Sequence, residues 1–334
     1  MASSEIFKDI SKSGKDRRWR ERKLQAVQLA KAFEVLGFKK FRDTYQCANV
    51  IRSVQRPDGT YRVKEAYFCK DKLCPICSWR RSMKYSTQTQ LIMDEALKRE
   101  PKARFIFLTL SARNVWNGHE LDNAMSELTA GFSRLFQRAK VKRNLIGWVR
   151  ASEVTVSDDP EKPEWRGSYN QHIHVLLMLR PAYFKGGQYI AVKEWQKMWQ
   201  QSLRVDYTPI VDVRTVKPKK KGGDLRSAVL ETAKYPVKPI KIDFSEESLK
   251  QVNDLHVGLA GKRQLAYGGL LREIKKELGL EDVETSDDLV HVDEETGEVT
   301  TGKEIVAAWD WQRKNYYVVH GEIPVAEGSK EVWT

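Results

Sequence analysis

Apolar residues recur at helical spacing over Leu24–Leu36, and Gly37 closes the run, so the pattern predicts an amphipathic helix there. Thr60–Phe68 reads as a strand leading into Cys69, and the stretch from Trp79 to about Arg99 reads as a helix that stops before Pro101. Arg104–Ser111 (RFIFLTLS) is a short apolar run, the signature of a buried strand. Over Glu120–Lys140 the residues Leu121, Met125, Leu128, Phe132 and Leu135 fall on one side of a helix. Strands are expected at Ile146–Val156 and Gln171–Leu179, joined through the polar loop Ser157–Ser168. A helix over Lys193–Arg204, a strand over Ile210–Val216, a Lys/Gly loop and a helix from Asp224 to about Tyr235 complete the order β-α-β-β-α-β-α. Two adjacent central strands joined by a hairpin, with helices on one face, make an α+β fold with a central antiparallel sheet. The expected division is a basic arm and cysteine-rich region in 1–100, a central unit in 101–240, and a helical region with an acidic tail in 241–334.

Composition changes the picture mainly through charge. Residues 1–100 hold 23 Lys/Arg against 12 Asp/Glu and residues 101–280 hold 31 against 19, whereas residues 281–334 hold 4 against 14. A field of that sign over the first 280 residues concentrates polyanions, and the acidic end opposes it, as a solubilising tail or as a shield for the basic face. Candidate DNA contacts are Arg17, Arg18 and Arg20 beside Trp19, the pairing of charge and aromatic ring used by single-strand binders. Arg80 and Arg81, and the loop lysines Lys219, Lys220 and Lys221, join them. No apolar run approaches the ~18 residues of a membrane span, and Met1–Lys23 has no apolar centre, so neither a span nor a secretory signal is expected. Four cysteines in 334 residues do not make a secreted disulfide scaffold, and a cytoplasmic protein is the expectation.

Those cysteines, Cys47, Cys69, Cys74 and Cys77, lie within one window with spacing C-x21-C-x4-C-x2-C. Four thiolates in such a window suit a closed, structural Zn²⁺ site; free buried thiols or a redox pair in Cys74-Pro75-Ile76-Cys77 are the alternatives. The expected site sits among Lys70, Lys72, Arg80, Arg81 and Lys84, a basic knuckle.

A second metal pattern lies in Gln171-His172-Ile173-His174-Val175-Leu176-Leu177. Side chains alternate on a strand, so His172 and His174 share one face while Ile173, Val175 and Leu177 take the other. The hairpin partner Ala151-Ser152-Glu153-Val154-Thr155 offers Glu153, an acid in an otherwise apolar strand and costly to bury without a cation. Three ligands leave coordination positions open for a substrate oxygen. Two imidazoles and a carboxylate also accept iron or zinc, so spacing does not choose the metal. Downstream, Asp224–Lys238 reads DLRSAVLETAKYPVK, with Glu231 and Tyr235 four apart on one helical face, flanked by Lys234 and Lys238 and stopped by Pro236. A tyrosine can act as a nucleophile if its proton is lost or shared, although a packed tyrosine on an ordinary helix satisfies the same pattern.

Taken in order, FLTLS, QHIHVLL and ETAKYPVK resemble the initiator (Rep) proteins of bacterial rolling-circle plasmids, within the HUH endonuclease superfamily and close to the family of small Gram-positive resistance plasmids. FCKDKLCPICSWRRSMK, KRQLAYGGLLREIKKEL and WDWQRKNYY are similar to the same family, so the resemblance spans about 10 to 320. It implies an HUH fold and a protein that binds the double-strand origin, nicks one strand at a hairpin, stays bonded to the 5′ end and later cuts and rejoins the displaced strand. Carried onto this chain, Tyr235 matches the nucleophile, His172 and His174 the ligands of a catalytic Mg²⁺ or Mn²⁺, and Glu231 the residue that activates water in termination. Glu153 as third ligand and Lys238 as a helper of the tyrosine extend that assignment. Origin DNA and a host helicase are the implied partners, and a homodimer is allowed for. The alternatives are an HUH relaxase or transposase, or a zinc-containing DNA-binding regulator without chemistry. Thr109 and Ser111 are expected to be structural.

Overall fold

The structure, a computed structural model, describes residues 5–11, 14–57, 59–216, 240–285, 288–292 and 303–319. Its first elements are helices α1 (Trp19–Val35) and α2 (Phe41–Gln46) and strands β1 (Val50–Gln55) and β2 (Tyr61–Ala66). Helix α3 (Pro75–Arg99) follows, with Cys74 as its N-cap and Pro75 in the first turn, where its missing N–H costs nothing. It starts four residues before the helical pattern does, because Pro75 and Ile76 are read as part of a cysteine turn until the turn is seen to be a helix start.

Next come β3 (Arg104–Ser111), α4 (Gly118–Gln137), α5 (Ala139–Lys142), β4 (Leu145–Val156) and β5 (Tyr169–Leu179). The start of α4 is set by Asn117, whose side chain accepts the Glu120 N–H at 2.9 Å, while the Glu120 carboxylate accepts the N–H of Trp116 at 2.8 Å. Helix α6 (Val192–Leu203), β6 (Val211–Val216), α7 (Glu246–Gly258), β7 (Leu265–Gly269), α8 (Leu270–Glu277), β8 (Glu304–Asp310) and β9 (Asn315–Val319) complete the described elements. The helix expected over Asp224–Tyr235 lies outside the described residues, as do Glu231, Tyr235, Lys238 and Lys219, Lys220 and Lys221.

Two antiparallel sheets organise these elements. The larger has the order β6-β3-β5-β4-β7, so the His-x-His strand is its middle strand. Odd-numbered side chains of β5, Ile173, Val175, Leu177 and Leu179, pack with Leu121, Met125, Leu128 and Phe132 of α4 and with Trp195 and Trp199 of α6. Its even-numbered Leu176 and Met178 pack with Tyr85, Ile92 and Met93 of α3 and Leu271 and Ile274 of α8. Helices therefore cover both faces, not one as expected. The helices N- and C-terminal to the central pattern supply the second layer, a pairing that local periodicity does not encode.

The smaller sheet has the order β2-β1-β8-β9. Strand β8 pairs antiparallel with β1, Ala307 facing Ile51, so residues 304–319 share a layer with residues 50–66. The C-terminal region expected to be helical thus contributes strands to both sheets. Among the described helices none is long and apolar enough to cross a membrane.

Two arginines expected to contact DNA, and two lysines of the basic knuckle, are spent inside the fold. Arg80 is 1% exposed and donates to the carbonyls of Leu289 and Val290; Arg81, 7% exposed, donates to those of Lys70 and Asp71. Neither offers its guanidinium to a polyanion here. Lys84 is held between Glu281 (3.0 Å) and Asp288 (3.3 Å), and Lys72 donates to the carbonyls of Leu259 and Lys262. The knuckle is basic because buried cations tie the cysteine layer to its neighbours through carbonyls and carboxylates, and part of the acidic C-terminal segment closes over α3. Trp19 is likewise buried, its indole N–H bonded to Asp9 at 2.8 Å, so it presents no face to a base.

Candidate active site

Pairing across β3, β5 and β4 builds the site. His172 faces Ser111 on one side and Glu153 on the other; His174 faces Thr109 and Ala151. Because alternation places residues 172 and 174 on one face, their rings stand 4.7 Å apart at 81°. The Glu153 carboxylate lies between them, 3.1 Å from Nε2 of His174 and 3.5 Å from Nε2 of His172. All three side chains are 12–15% exposed, so the cluster is largely sheltered yet reachable. Glu153 thus stands where the hairpin register puts it.

Electrostatics favour an ionised carboxylate. Burial pushes the Glu153 carboxyl up, but the hydrogen bonds and charge of His172 and His174 pull it further the other way, to about 2. Each imidazole is also held from behind. Thr109 Oγ1 lies 3.1 Å from Nδ1 of His174, and Asn170 Oδ1 lies 3.2 Å from Nδ1 of His172. Both rings therefore turn Nε2 toward Glu153, the arrangement by which outer partners orient metal-ligating histidines. Thr109 was expected to be structural, and Asn170 was not singled out. The signal for Asn170 was present, since it is two residues before His172 on a strand and shares the histidine face.

Glu153, His172 and His174 form one of two groups able to hold a metal ion among the described residues, their ligand atoms lying within 4.8 Å of one another. Donors ~2.1 Å from a common ion stand roughly 3.0–3.4 Å apart; the His174–Glu153 distance of 3.1 Å falls inside that range and the His172–Glu153 distance of 3.5 Å just beyond it. The other group is Cys47, Cys69, Cys74 and Cys77, all buried. Their sulfurs are 3.5 Å (Cys47–Cys77), 3.6 Å (Cys69–Cys77) and 3.7 Å (Cys47–Cys74) apart. Four sulfurs ~2.3 Å from a tetrahedral ion would be about 3.8 Å apart, so the cluster fits one.

Local structure explains why these thiols converge. Cys47 ends α2, Cys74 and Cys77 begin α3, and Lys70, in the left-handed region at φ 61°, turns its N–H onto the Cys77 sulfur at 3.3 Å. Burial pushes the Cys47 and Cys77 thiols up. It disfavours the Cys74 thiolate too, but hydrogen bonds from the other three cysteines override it and hold that pKa well down.

Of the expected surface arginines, Arg18 and Arg20 are exposed, whereas Arg17 is largely covered and lies 3.8 Å from Asp9.

The family model described as a replication protein matches residues 60–317. A "Protein rep" of Streptococcus pneumoniae serotype 2 (strain D39 / NCTC 7466) is 50% identical over 317 residues, covering 94% of this chain and 95% of that one. A "Protein rep" of Lactiplantibacillus plantarum is 44% identical over 326 residues, 94% of this chain and 99% of its own length. A shorter "Replication protein" of Staphylococcus aureus is 42% identical over 240 residues, 71% of this chain and 99% of that protein. No solved structure gives a significant match. By the extent of the family match and the identity shared along nearly its whole length, this chain belongs to the replication-protein (Rep) family, as its motifs led one to expect of a plasmid replication initiator.

Proposed function

We propose that this initiator starts rolling-circle replication by binding the plasmid's double-strand origin and nicking one strand at an exposed hairpin. The observation that carries the reading is the meeting of Glu153, His172 and His174 on the middle of an antiparallel sheet, in a chain of the replication-protein family that also bears Tyr235. That sheet, with the paired histidines on its central strand, supports an HUH endonuclease fold.

Phosphodiester attack builds negative charge on the phosphate oxygens. A Mg²⁺ or Mn²⁺ ion held by Glu153, His172 and His174 would supply positive charge to those oxygens. Tyr235 delivers its phenolic oxygen to the phosphorus. The bond from phosphorus to the 3′ oxygen breaks, and the proton lost by the phenol is balanced by the one gained at the 3′-OH. Lys238 offsets the charge on the phenol oxygen or the phosphate, and Lys219, Lys220 and Lys221 hold the strand. The phosphotyrosine link conserves the ester, so resealing requires no nucleotide cofactor. In termination Glu231 takes a proton from water, whose oxygen cleaves the regenerated site, and the freed 3′-OH then attacks the phosphotyrosine, closing the circle and releasing Tyr235 as its phenol. The four cysteines hold Zn²⁺ as a structural ion, and a host helicase opens the duplex ahead of synthesis.

Incubating the protein with supercoiled origin plasmid and Mg²⁺ or Mn²⁺ tests this directly. Open circles carrying protein on the 5′ end are expected, and His172→Ala should lose them. Plasmid that stays supercoiled while bound would overturn the reading.

A further inference from the structure

Two segments that the catalytic reading leaves idle, the arm Lys15–Lys23 and the stretch WDWQRKNYY, meet in space although nearly 300 residues apart. Arg20 Nε donates to the carbonyl of Lys314 at 2.9 Å. Asp310 shapes the β8–β9 turn by accepting the N–H groups of Gln312 (3.0 Å) and Arg313 (2.8 Å). The turn presents Trp311 against Tyr45 of α2, their rings 4.4 Å apart and 7° from parallel. Each ring is about two-fifths exposed, 39% for Tyr45 and 40% for Trp311.

The pair is held from below: the buried Lys23 ammonium donates to the carbonyls of Tyr45 (2.8 Å) and Cys47 (2.7 Å). Around it Arg20, Arg42 and Lys314 are exposed, Arg42 lying one helical turn before Tyr45. Nearby acids are engaged, Asp43 at 3.8 Å from Lys40 and Asp310 in the turn and on Arg313.

A parallel, two-fifths-exposed aromatic pair ringed by exposed cations is the arrangement that binds an unpaired base and its phosphates. A base pair inside a duplex has no free face to offer such a pair. We infer that Tyr45 and Trp311 form a stacking platform for single-stranded DNA, with Arg20, Arg42 and Lys314 taking its phosphates. This subsite lies on the smaller sheet, apart from Glu153, His172 and His174. It rests on the reading of the chain as an enzyme that handles an opened DNA strand.

The test is fluorescence anisotropy of the full chain with a labelled single-stranded oligonucleotide and with the duplex of the same sequence, without added Mg²⁺ or Mn²⁺. Trp311→Ala should weaken single-strand binding about fivefold or more, and Trp311→Phe should restore most of it. Arg20→Gln with Lys314→Gln should flatten the salt dependence. Bound-metal content and thermal unfolding identify any variant that misfolds, and the exposed pair Arg20→Gln with Lys314→Gln then carries the comparison, an unchanged salt dependence overturning the inference. A well-folded Trp311→Ala that binds like wild type, or one that loses only duplex binding, overturns the inference. Wild-type protein that binds through this surface but never nicks plasmid would instead sink the catalytic reading alone.

Discussion

His172 and His174 are held by different atoms, and the difference has a consequence. The Asn170 side-chain oxygen beside Nδ1 of His172 is an acceptor, and in the metal-loaded site it would favour the tautomer protonated at Nδ1, whose Nε2 lone pair faces the ion. Asn170→Asp keeps an acceptor there and should retain or strengthen Mn²⁺ binding. Asn170→Leu should weaken it about tenfold or more, read by titration calorimetry. Equal affinities in both variants would remove Asn170 from the positioning role. At the cysteine cluster, Cys74→Ser should release the bound metal, measured by elemental analysis of purified protein, and lower the thermal transition; unchanged metal content would contradict the four-thiol site.

Asp288 gives a pH dependence. Burial pushes its carboxyl up, but the N–H groups of His291 and Val290 and the Lys84 ammonium pull it down further, to about 2. A depressed carboxylate pKa stabilises the fold above the ordinary value near 4, and that contribution fades as pH falls from about 4 to about 2. Urea unfolding should therefore show Asp288→Asn less stable than wild type at pH 7, with the gap narrowing across that window. A gap that stays constant would contradict the assignment.

Among elements, the crossing of α4 and α7 offers a direct test of packing. A Cβ on Gly258 would lie 2.5 Å from Cγ of Leu121, which is fully buried. Gly258→Ala should destabilise the protein by about 1–3 kcal/mol in denaturant unfolding, the range for overpacking a filled core. The strands that frame the candidate site were legible in the sequence because each is a compact apolar run: Arg104–Ser111 is found within those bounds, and Gln171–Leu179 is extended by two residues. Glu153 was legible as well, since a hairpin register fixes which residue faces His172. Strand β1 and its partner β8 were not, because six or seven residues carry little periodicity and the two lie some 250 residues apart. Arg80 and Arg81 were misread for a related reason: charge along a sequence does not say whether a guanidinium meets solvent or a buried carbonyl.

In the whole molecule, the cysteine cluster and the histidine cluster belong to different layers joined by α3, whose first turn carries Cys74 and Cys77 and whose later residues Ile92 and Met93 pack beneath the histidine strand. A metal lost from the thiols would loosen the start of the helix that supports the other site. The basic charge of residues 1–280 adds a second molecular property: nonspecific DNA binding should weaken steeply as salt rises from 50 to 200 mM, and a flat response would deny a phosphate-led interface. The proposed chemistry is covalent, and mass spectrometry of the peptide left on nicked origin DNA reads it out. A nucleotide is expected on the peptide that contains Tyr235, at that residue, and none after Tyr235→Phe; an adduct on another residue, or nicked DNA with no adduct, would rule out Tyr235 as the nucleophile.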